Sequence, residues 1–551
     1  MRPHLGFGSI SRQGWLLVGV FLVVAAAALV GIARVTSAAA HPSAATAGSS
    51  NLRLAITGAP DPFDPALLGD NRSIELAQNV YEGVLGVNNK AQIVPDLAST
   101  WSESANGLVY TFHLRQGLKF ENGDPITASD FVYTFNRSLS PKTAAGASFF
   151  LADIKGANAV LNGKAKSAGG IKAIGKYTLQ VTLAHKAGYF AAEISRWPAW
   201  VVDQKVIAQY GKGWITPPHN VGSGAYELTG QVGNQQYTFT ANPTYYLGAP
   251  SIKQVSVTAV PDSTAAVARY QAGEFDAVIG LSAASILQVK SNPTLKSQFH
   301  STPIERTVWL EMNNTKPPFN NRQVRQAFNH AIDKNAIIQI ALAGVGTPAN
   351  SWLPPGIPGN VTAQHAASTY NVALAKQLLA KAGYPNGKGF PSVKLDYGIN
   401  YGEYAEVYEL IQAQLEKNLG VKVALKELPI NAFNNELTSP KTRPELWGYT
   451  FGFDYPDAQE LDEYLGITGA PYNYDGYSNK QYDKLVAEAN ANSNQATRAK
   501  LYAQAENVRL ADAPTIPLYF VNQNWLVKPN IKGFGYSPLY MHPWRQVSIQ
   551  P

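Results

Sequence analysis

The sequence contains no cysteine among its 551 residues, which excludes disulfide bonds, thiol catalysis and thiolate metal sites. Its nine histidines show no HExxH or similar metal-binding spacing. Neither a phosphate-binding Gly-Lys-Ser/Thr loop nor a Gly-x-Ser-x-Gly nucleophile elbow occurs in it. We therefore expect no metal and no cofactor, and covalent catalysis has no marker.

The excess of positive charge is also small. The net charge is +7, and three arginines that no acid balances precede residue 40, so subtracting three leaves +4 for the rest. The sequence has no dense run of lysine and arginine and no nucleic-acid-binding motif. We therefore expect no nucleic-acid partner.

The first 40 residues predict an export segment. Arg2 and Arg12 give a positive start, residues 15–33 carry no charge, and residues 37–40 are small, as at a cleavage site. The uncharged run also approaches the length of a membrane-spanning helix, so an uncleaved N-terminal membrane anchor is the alternative. Residues 41–51 favour a flexible linker. We expect an exported, extracytoplasmic protein.

The sequence is long and rich in aromatic residues. The chain is long enough for two or three domains, and its aromatic fraction, phenylalanine included, is 11%, with 28 tyrosines and 10 tryptophans. Tyrosine and tryptophan combine apolar area with a polar tip, so they suit binding surfaces. Packing in a large fold is the plainer explanation for any single one of them.

Residues 108–130 have the most distinctive local pattern. Within them, residues 109–114 alternate in a way that predicts a strand with one buried face. An Asn-Gly-Asp-Pro turn follows at residues 122–125. Thr127 is then a good helix N-cap, with acidic Asp130 near the positive end of the helix. The pattern predicts a scaffold of strand, turn and helix.

Elsewhere helical and extended patterns alternate along the chain. A strand is predicted at residues 51–56, and the residues 403–419, which favour a helix, lie between strands at 393–397 and 421–425. This β-α-β order favours an α/β arrangement with a partly parallel sheet. Longer helices are predicted at residues 74–85, 320–338 and 370–384.

The segment 108–130 closely resembles the extracytoplasmic solute-binding proteins of family 5, which deliver peptides, nickel and related solutes to ABC importers. Residues 78–85, Gln-Asn-Val-Tyr-Glu-Gly-Val-Leu, resemble the family's Asn-x-Tyr-Glu-Gly-Leu-Leu segment. The chain departs from many Gram-positive relatives because no cysteine follows its apolar run, which excludes a Cys-linked lipid anchor. Further similar segments are residues 220–226, 242–246, 271–276, 320–333, 370–384 and 514–520.

The resemblance implies an α/β fold of the type II periplasmic-binding-protein class, with two lobes, a hinge and an extra subdomain in the first lobe. Crossovers near residues 307–312 and 519–524 would form the hinge. The expected division is residues 52–85, 213–306 and 525–551 for lobe I, 86–212 for the inserted subdomain and 307–524 for lobe II.

The leading candidate for solute contact is the segment 447–457, where an aromatic strand ends in a carboxylate. An apolar wall strengthens a charge-assisted hydrogen bond from a ligand ammonium to Asp454. In peptide-binding relatives an Asp three residues after a Trp pairs with the ligand's α-amino group, and here that spacing gives Phe451 and Asp454. Phenylalanine keeps an aromatic wall but loses the indole donor. The same segment adds Trp447, Tyr449 and Tyr455 to the expected ligand-binding residues.

Peptide-binding relatives also hold the ligand backbone with extended main chain, much as a strand adds to a sheet edge. Segments outside the aromatic strand are candidates for this role and for side-chain pockets. Ordinary packing is the alternative for each of their residues. The residues expected to bind the solute in this way are Asn313, Leu67, Leu68, Ser223, Tyr472 and Asn473.

The expected function is that of the extracytoplasmic solute-binding component of an ABC importer. The protein would capture a peptide or similar amine-bearing solute in the cleft between the lobes. It would then deliver that solute to the membrane permease and its ATPase. Association with the membrane would come through the N-terminal segment or the permease. No chemistry on the solute is expected, so the protein is not expected to be an enzyme.

Other functions remain as alternatives. A sensory or chaperone-like peptide-binding protein could share the fold. A secreted hydrolase could use Asp454, Asp457 and Glu460 as paired carboxylates, although the sequence gives no separation between them. A nickel-type solute would favour histidines near the cleft, but the sequence does not place His365 or His542 there, so nickel is a minor alternative.

Overall fold

A computed structural model describes residues 50–364, 370–399, 404–540 and 542–550. The expected export segment, nearly all of the linker, and His365 lie outside these residues. Within the described ranges, no helix combines the length and the apolar character that crossing a bilayer requires.

The extended segments are distributed along the whole described chain. In chain order the strands are β1 (Asn51–Ile56), β2 (Leu85–Val87), β3 (Ile93–Pro95), β4 (Ala98–Glu103), β5 (Val109–Leu114), β6 (Ile171–Ala173), β7 (Thr178–Thr182), β8 (Tyr226–Val232), β9 (Gln236–Ala241), β10 (Gln254–Ala259), β11 (Ala277–Ile279), β12 (Phe299–Met312), β13 (Thr347–Pro348), β14 (Val393–Ile399), β15 (Val423–Pro429), β16 (Leu446–Gly452), β17 (Thr515–Val527), β18 (Ile531–Lys532) and β19 (Ser548–Ile549).

Helices alternate with these strands. They are α1 (Asn71–Ala77), α2 (Ala128–Leu139), α3 (Ala157–Leu161), α4 (Phe190–Glu193), α5 (Gln204–Tyr210), α6 (Ser263–Gln271), α7 (Ala283–Ser291), α8 (Pro293–Lys296), α9 (Arg322–Ala331), α10 (Lys334–Ala341), α11 (Val372–Lys381), α12 (Tyr404–Leu419), α13 (Ile430–Thr438), α14 (Gln459–Leu461), α15 (Lys480–Asn490) and α16 (Gln495–Asp512).

One large mixed sheet runs through the molecule in the order β15-β14-β16-β12-β17-β11-β1-β10-β9-β8, with β13 added on β17. The long strands β12 and β17 pair antiparallel at its centre. On one side, β14 is parallel to β15, with α12 between them in the chain, and this confirms the predicted β-α-β unit. On the other side, β11, β1 and β10 form parallel pairs.

A separate four-stranded antiparallel sheet, β4-β5-β7-β6, contains the distinctive segment. Strand β5 confirms the predicted alternation, because Tyr110, Phe112 and Leu114 are buried. At the start of α2, the N–H and hydroxyl of Thr127 donate to the Asp130 carboxylate at 2.8 and 2.7 Å. This sheet falls within residues 86–212, while the boundaries of the lobes and subdomain stay predictions.

Two predicted helices have different bounds in the structure. The helix predicted at residues 74–85 is α1, which begins earlier because Asp70 caps it and ends at Ala77. The helix predicted at residues 320–338 is two helices, α9 and α10. Ile332 is extended, and the Asp333 carboxylate accepts from the N–H of Ala336, so it caps the second helix. Aspartate prefers such caps to helix interiors, which explains the break.

A buried ion pair fixes the loop that follows β16. Arg498 is fully buried, and its Nη2 donates to Asp457 Oδ1 at 2.6 Å. Its Nη1 donates to the carbonyl of Ala489 at 2.8 Å, which ties the junction of α15 and α16 to the same loop. Removing one member of such a pair leaves an uncompensated buried charge.

We expect Asp457→Asn to lower the free energy of unfolding by about 3–5 kcal/mol, measured by urea denaturation, because Arg498 then lacks its counter-charge. Glu488→Gln is the matched control, since it breaks the exposed pair of Lys484 with Glu488 and should cost less than about 0.5 kcal/mol. Equal losses in the two variants would show that the buried pair does not hold the loop.

Candidate functional site

A cavity of about 360 Å³ lies where the two long central strands meet β1, α1 and β11. We call it the central cavity. Both halves of the large sheet contribute to its walls, since β12 and β17 join strands on either side. Its lining includes Ile56, Arg72, Glu75, Arg306, Tyr519 and Tyr540.

One wall of the central cavity comes from α1. Arg72 donates from Nη1 to the carbonyl of Thr57 at 3.0 Å and lies 3.4 Å from Asp70. Glu75 is buried and accepts a hydrogen bond of 2.5 Å from the hydroxyl of Tyr536. Burial raises the pKa of Glu75 to about 8, and the Tyr536 hydroxyl and Arg72 oppose that shift. This wall therefore carries one guanidinium and one carboxyl group that holds its proton near neutral pH.

Arg306 of β12 forms the opposite wall and reaches the end of β16. Its Nε donates to the hydroxyl of Tyr540 at 2.6 Å. Arg306 lies directly opposite Gly452 in the strand ladder, and a Cβ added to Gly452 would be 2.8 Å from Nε. A larger residue at 452 would therefore require the Arg306 and Tyr540 side chains to shift.

Asp454 lies two residues beyond the end of β16 and belongs to a buried ionic cluster. Its N–H donates to Glu460 Oε2 at 2.9 Å. Burial raises the pKa of Asp454, while the charges of Arg196 and Arg306 and the contact with Glu460 oppose that shift. Burial also raises the pKa of Glu305 to about 8, against the attraction of Arg196. Two guanidinium groups thus already stabilise the carboxylate that was expected to receive a ligand ammonium.

Apart from Asp454, no member of this cluster was predicted from the sequence. Arg196 precedes a short 3₁₀ helix at Trp197–Ala199, and Glu305 and Arg306 lie within β12. These segments are far apart in the chain and meet only because the strands pair in this register. Adjacent charged residues inside a predicted strand are the signal that could have marked Glu305 and Arg306.

Strand β16 has one covered edge and one largely open edge. On the covered side it pairs with β12 along its whole length. On the other side β14 pairs only with Leu446 and Trp447, and within the described ranges no strand continues the ladder beyond them. The N–H of Phe453 donates to the carbonyl of Glu305. In an antiparallel ladder, every second residue of a strand forms such hydrogen bonds with its partner strand, and the peptide groups of the residues between them point to the other edge. The peptide groups that point to the open edge are therefore those of Gly448, Thr450 and Gly452.

A second cavity of about 160 Å³ occupies the gap that opens where β14 and β16 diverge. We call it the split cavity. Gly398 borders it on β14, and Gly448 and Thr450 border it on β16. Side chains from α12 and α13 form its walls. Its full lining is Gly398, Tyr408, Ile430, Phe433, Asn434, Gly448, Tyr449 and Thr450.

Five of the residues expected to bind solute are buried. Trp447 packs with Phe433 and Leu437, and Tyr455 packs edge-on against Phe150 at 5.2 Å. The others are Leu68, which is in the core; Ser223, whose hydroxyl accepts from the N–H of Glu82 at 2.9 Å; and Asn313, whose side chain accepts from Thr315. These packing contacts account for their positions, and a direct role in solute binding stays a prediction.

The remaining expected residues are less buried. Tyr449 lines the split cavity, and Phe451 packs on Phe453 at 5.6 Å with its ring half-buried. Leu67 and Tyr472 are 46% and 48% exposed. Asn473 donates to the carbonyls of residues 467 and 477 and so closes its own loop. Among the expected residues that are not fully buried, Tyr449 and Phe451 lie in β16 and Asp454 lies two residues beyond its end.

The carboxylates considered for hydrolysis have separate structural partners. Asp457 pairs with Arg498, and Glu460 accepts from the N–H groups of Asp454 and Tyr455. Across the described residues, no cluster of three or more histidine or acidic side chains has metal-binding geometry. His542 is buried beside Phe534 and Tyr536, and burial lowers its pKa to about 3.

The sequence matches a known family of proteins. The family model described as bacterial extracellular solute-binding proteins, family 5 Middle, matches residues 92–502. The chain belongs to this family. It is 30% identical over 510 residues to the dipeptide-binding protein DppE of Bacillus subtilis, covering 91% of the chain and 92% of that protein. It is also 30% identical to the probable deoxycholate-binding periplasmic protein YgiS of Escherichia coli, over 86% of the chain and 89% of that relative.

A solved structure agrees with the family assignment. The chain is similar to the unliganded open form of the periplasmic murein tripeptide-binding protein MppA, with a TM-score of 0.80 and 26% identity over 91% of this chain and 98% of that one. The predicted resemblance to family 5 and the predicted α/β fold are therefore confirmed. Members of the family are binding proteins rather than enzymes, and these relatives include periplasmic ones.

The buried Glu75 carboxyl group beside the central cavity makes the free energy of unfolding depend on pH. Because the folded pKa of Glu75 lies above its usual value, its protonated form contributes stability at pH below about 4.5, and this is lost as pH rises towards 8. We expect Glu75→Gln, which stays neutral, to lose less stability between pH 5 and pH 8 than the unsubstituted protein. The difference in slope should be up to about 1.4 kcal/mol per pH unit in urea denaturation.

Glu406→Gln, on the exposed face of α12, is the control for this measurement. It should leave the slope of stability against pH unchanged. A slope in Glu75→Gln that equals that of the unsubstituted protein would contradict a proton held on Glu75 in the folded state.

Proposed function

We propose that this protein is the extracytoplasmic solute-binding component of an ABC importer and that it captures a short peptide or a similar amine-bearing solute. The observation that carries the proposal is the open edge of β16. It presents the peptide groups of Gly448, Thr450 and Gly452, with Asp454 beyond one end and the split cavity at the other. An extended peptide binds such an edge by adding a strand, so its main chain supplies affinity and its side chains supply specificity.

The relatives support a peptide as the solute. One is named as dipeptide-binding and another as murein tripeptide-binding. About three peptide groups of β16 are open, which suits a ligand of three or four residues at a rise of roughly 3.3 Å per residue. The ligand's ammonium would lie at Asp454, where it would compete with the guanidinium groups of Arg196 and Arg306.

Binding would be coupled to closure of the two lobes over the solute. The closed, loaded state would then be the one that the permease and its ATPase recognise, since a ligand stabilises the conformation to which it binds more tightly. The solute leaves unchanged, so the protein would act as a carrier and not as an enzyme. The N-terminal segment or the permease itself would keep it at the membrane.

A second candidate is a carboxylate-bearing solute that is not a peptide. Arg72 and Arg306 both line the central cavity, and one relative is named as probably deoxycholate-binding. A guanidinium group binds a carboxylate through paired, charge-assisted hydrogen bonds. In this case the solute would occupy the central cavity and leave the edge of β16 open.

Titration calorimetry with short peptides separates the two candidates. We expect the protein to bind tri- or tetrapeptides, and Asp454→Asn to weaken binding roughly 10- to 100-fold, because a charge-assisted hydrogen bond to the ammonium is lost. Phe451→Ala should also weaken it by removing the aromatic wall. Glu488→Gln, on an exposed helix face, should bind as the unsubstituted protein does.

The thermal midpoints of all variants should be compared first, so that misfolding is recognised. Unchanged peptide affinity in both Asp454→Asn and Phe451→Ala would contradict the assigned site. Binding of deoxycholate but of no peptide, with loss in Arg306→Gln, would replace the peptide by the carboxylate-bearing solute.

A further inference from the structure

The split cavity exists because two parallel strands part. Strands β14 and β16 pair at Leu395 with Leu446 and at Asp396 with Trp447, and the pairing then stops although β14 continues to Ile399 and β16 to Gly452. The space between them is therefore bounded by backbone on both sides.

Glycine on each strand makes room for the side chains that form the walls of that space. A Cβ added to Gly448 would lie 1.9 Å from the hydroxyl oxygen of Tyr408, and one added to Gly398 would lie 2.9 Å from Ile430 Cδ1. Side chains from α12 and α13 thus reach the strands where a larger strand residue would otherwise stand. What remains is a volume of about 160 Å³, well below the 300 Å³ or more of a pocket for a whole small ligand and suited to one or two side chains.

Among the residues that the structure describes, every side chain that lines the split cavity is uncharged. Ile430 and Phe433 are apolar, while Tyr408, Asn434 and Thr450 offer only neutral hydroxyl or amide groups. A charged group placed there would lose water without gaining a counter-charge, which is costly. An apolar group would instead gain from leaving water.

The cavity lies a fixed distance from Asp454. Thr450 precedes Asp454 by four residues, which corresponds to about 13 Å along an extended chain. A peptide with its ammonium at Asp454 would run antiparallel to β16, with its first residue opposite Gly452 and its third opposite Thr450. Its third and fourth side chains, which point to opposite faces, would face the α12 and α13 walls of the split cavity.

We propose that the split cavity is a specificity pocket that accepts an uncharged, apolar side chain at the third or fourth residue of the bound peptide. This inference rests on the proposed peptide-binding function and adds to it the chemical class of the residue selected. The pocket also sets the practical length of the site, because β14 occupies the edge of β16 beyond Gly448.

The test measures the affinity of tetra-alanine and of its single Leu, Lys and Asp substitutions at each position by titration calorimetry. We expect Leu at position three or four to bind roughly 10-fold tighter than Lys or Asp at that position, in line with the burial of one side chain. At position two the same substitutions should differ by less than about threefold, since Phe451, which that residue would face, does not line the split cavity.

Two substitutions on α13 form a matched pair. Asn434 lines the cavity and Asn435 does not, and both side chains are exposed, so tryptophan should be accepted at either place without unfolding the protein. We expect Asn434→Trp to fill the pocket and abolish the preference for Leu over Ala while tetra-alanine still binds. Asn435→Trp should keep the preference.

The outcomes of these experiments distinguish failure of the specificity pocket from failure of the proposed peptide-binding function. If tetrapeptides bind but no position prefers an apolar residue, or if the preference persists in Asn434→Trp, the specificity pocket is refuted and peptide binding stands. If the unsubstituted protein and both variants bind none of the peptides, the proposed function fails and the pocket falls with it.

Discussion

The pairing of β12 with β17 is the constraint on which the rest of the structure depends. These strands, of 14 and 13 residues, run antiparallel through the centre of the large sheet. β12 then continues the sheet through β16, and β17 continues it through β11. Arg306 of β12 lines the central cavity and lies opposite Gly452, so one strand connects that cavity with β16.

Several ionisable side chains near these central strands are buried rather than exposed to water. Burial alone raises the pKa of a carboxyl group, and Glu75 and Glu305 each hold a proton up to about pH 8. Burial also raises the pKa of Asp454, and Arg196 and Arg306 oppose that shift, as Arg196 does for Glu305. In the proposed function, a ligand ammonium at Asp454 would compete with these two arginines.

Local pattern was enough to predict features that depend on neighbours in the sequence. The strand at residues 109–114 and the cap formed by Thr127 and Asp130 follow from alternation and from hydrogen bonds three residues apart. The break at Asp333 was missed because apolar periodicity continued across it, and only the cap it forms reveals two helices. Trp447 was expected to contact solute, yet the helix α13 covers it, and nothing in its own strand tells which face a helix will cover.

The open edge and the split cavity could not be found from sequence because both are consequences of register. The role of Gly398 and Gly448 is visible only once β14 and β16 are known to lie side by side and then diverge. A crystal structure of the protein with a bound tetrapeptide tests this arrangement most directly. We expect the peptide main chain to hydrogen-bond to Gly448, Thr450 and Gly452 with its ammonium at Asp454. A peptide bound elsewhere, with that edge of β16 left uncovered, would contradict it.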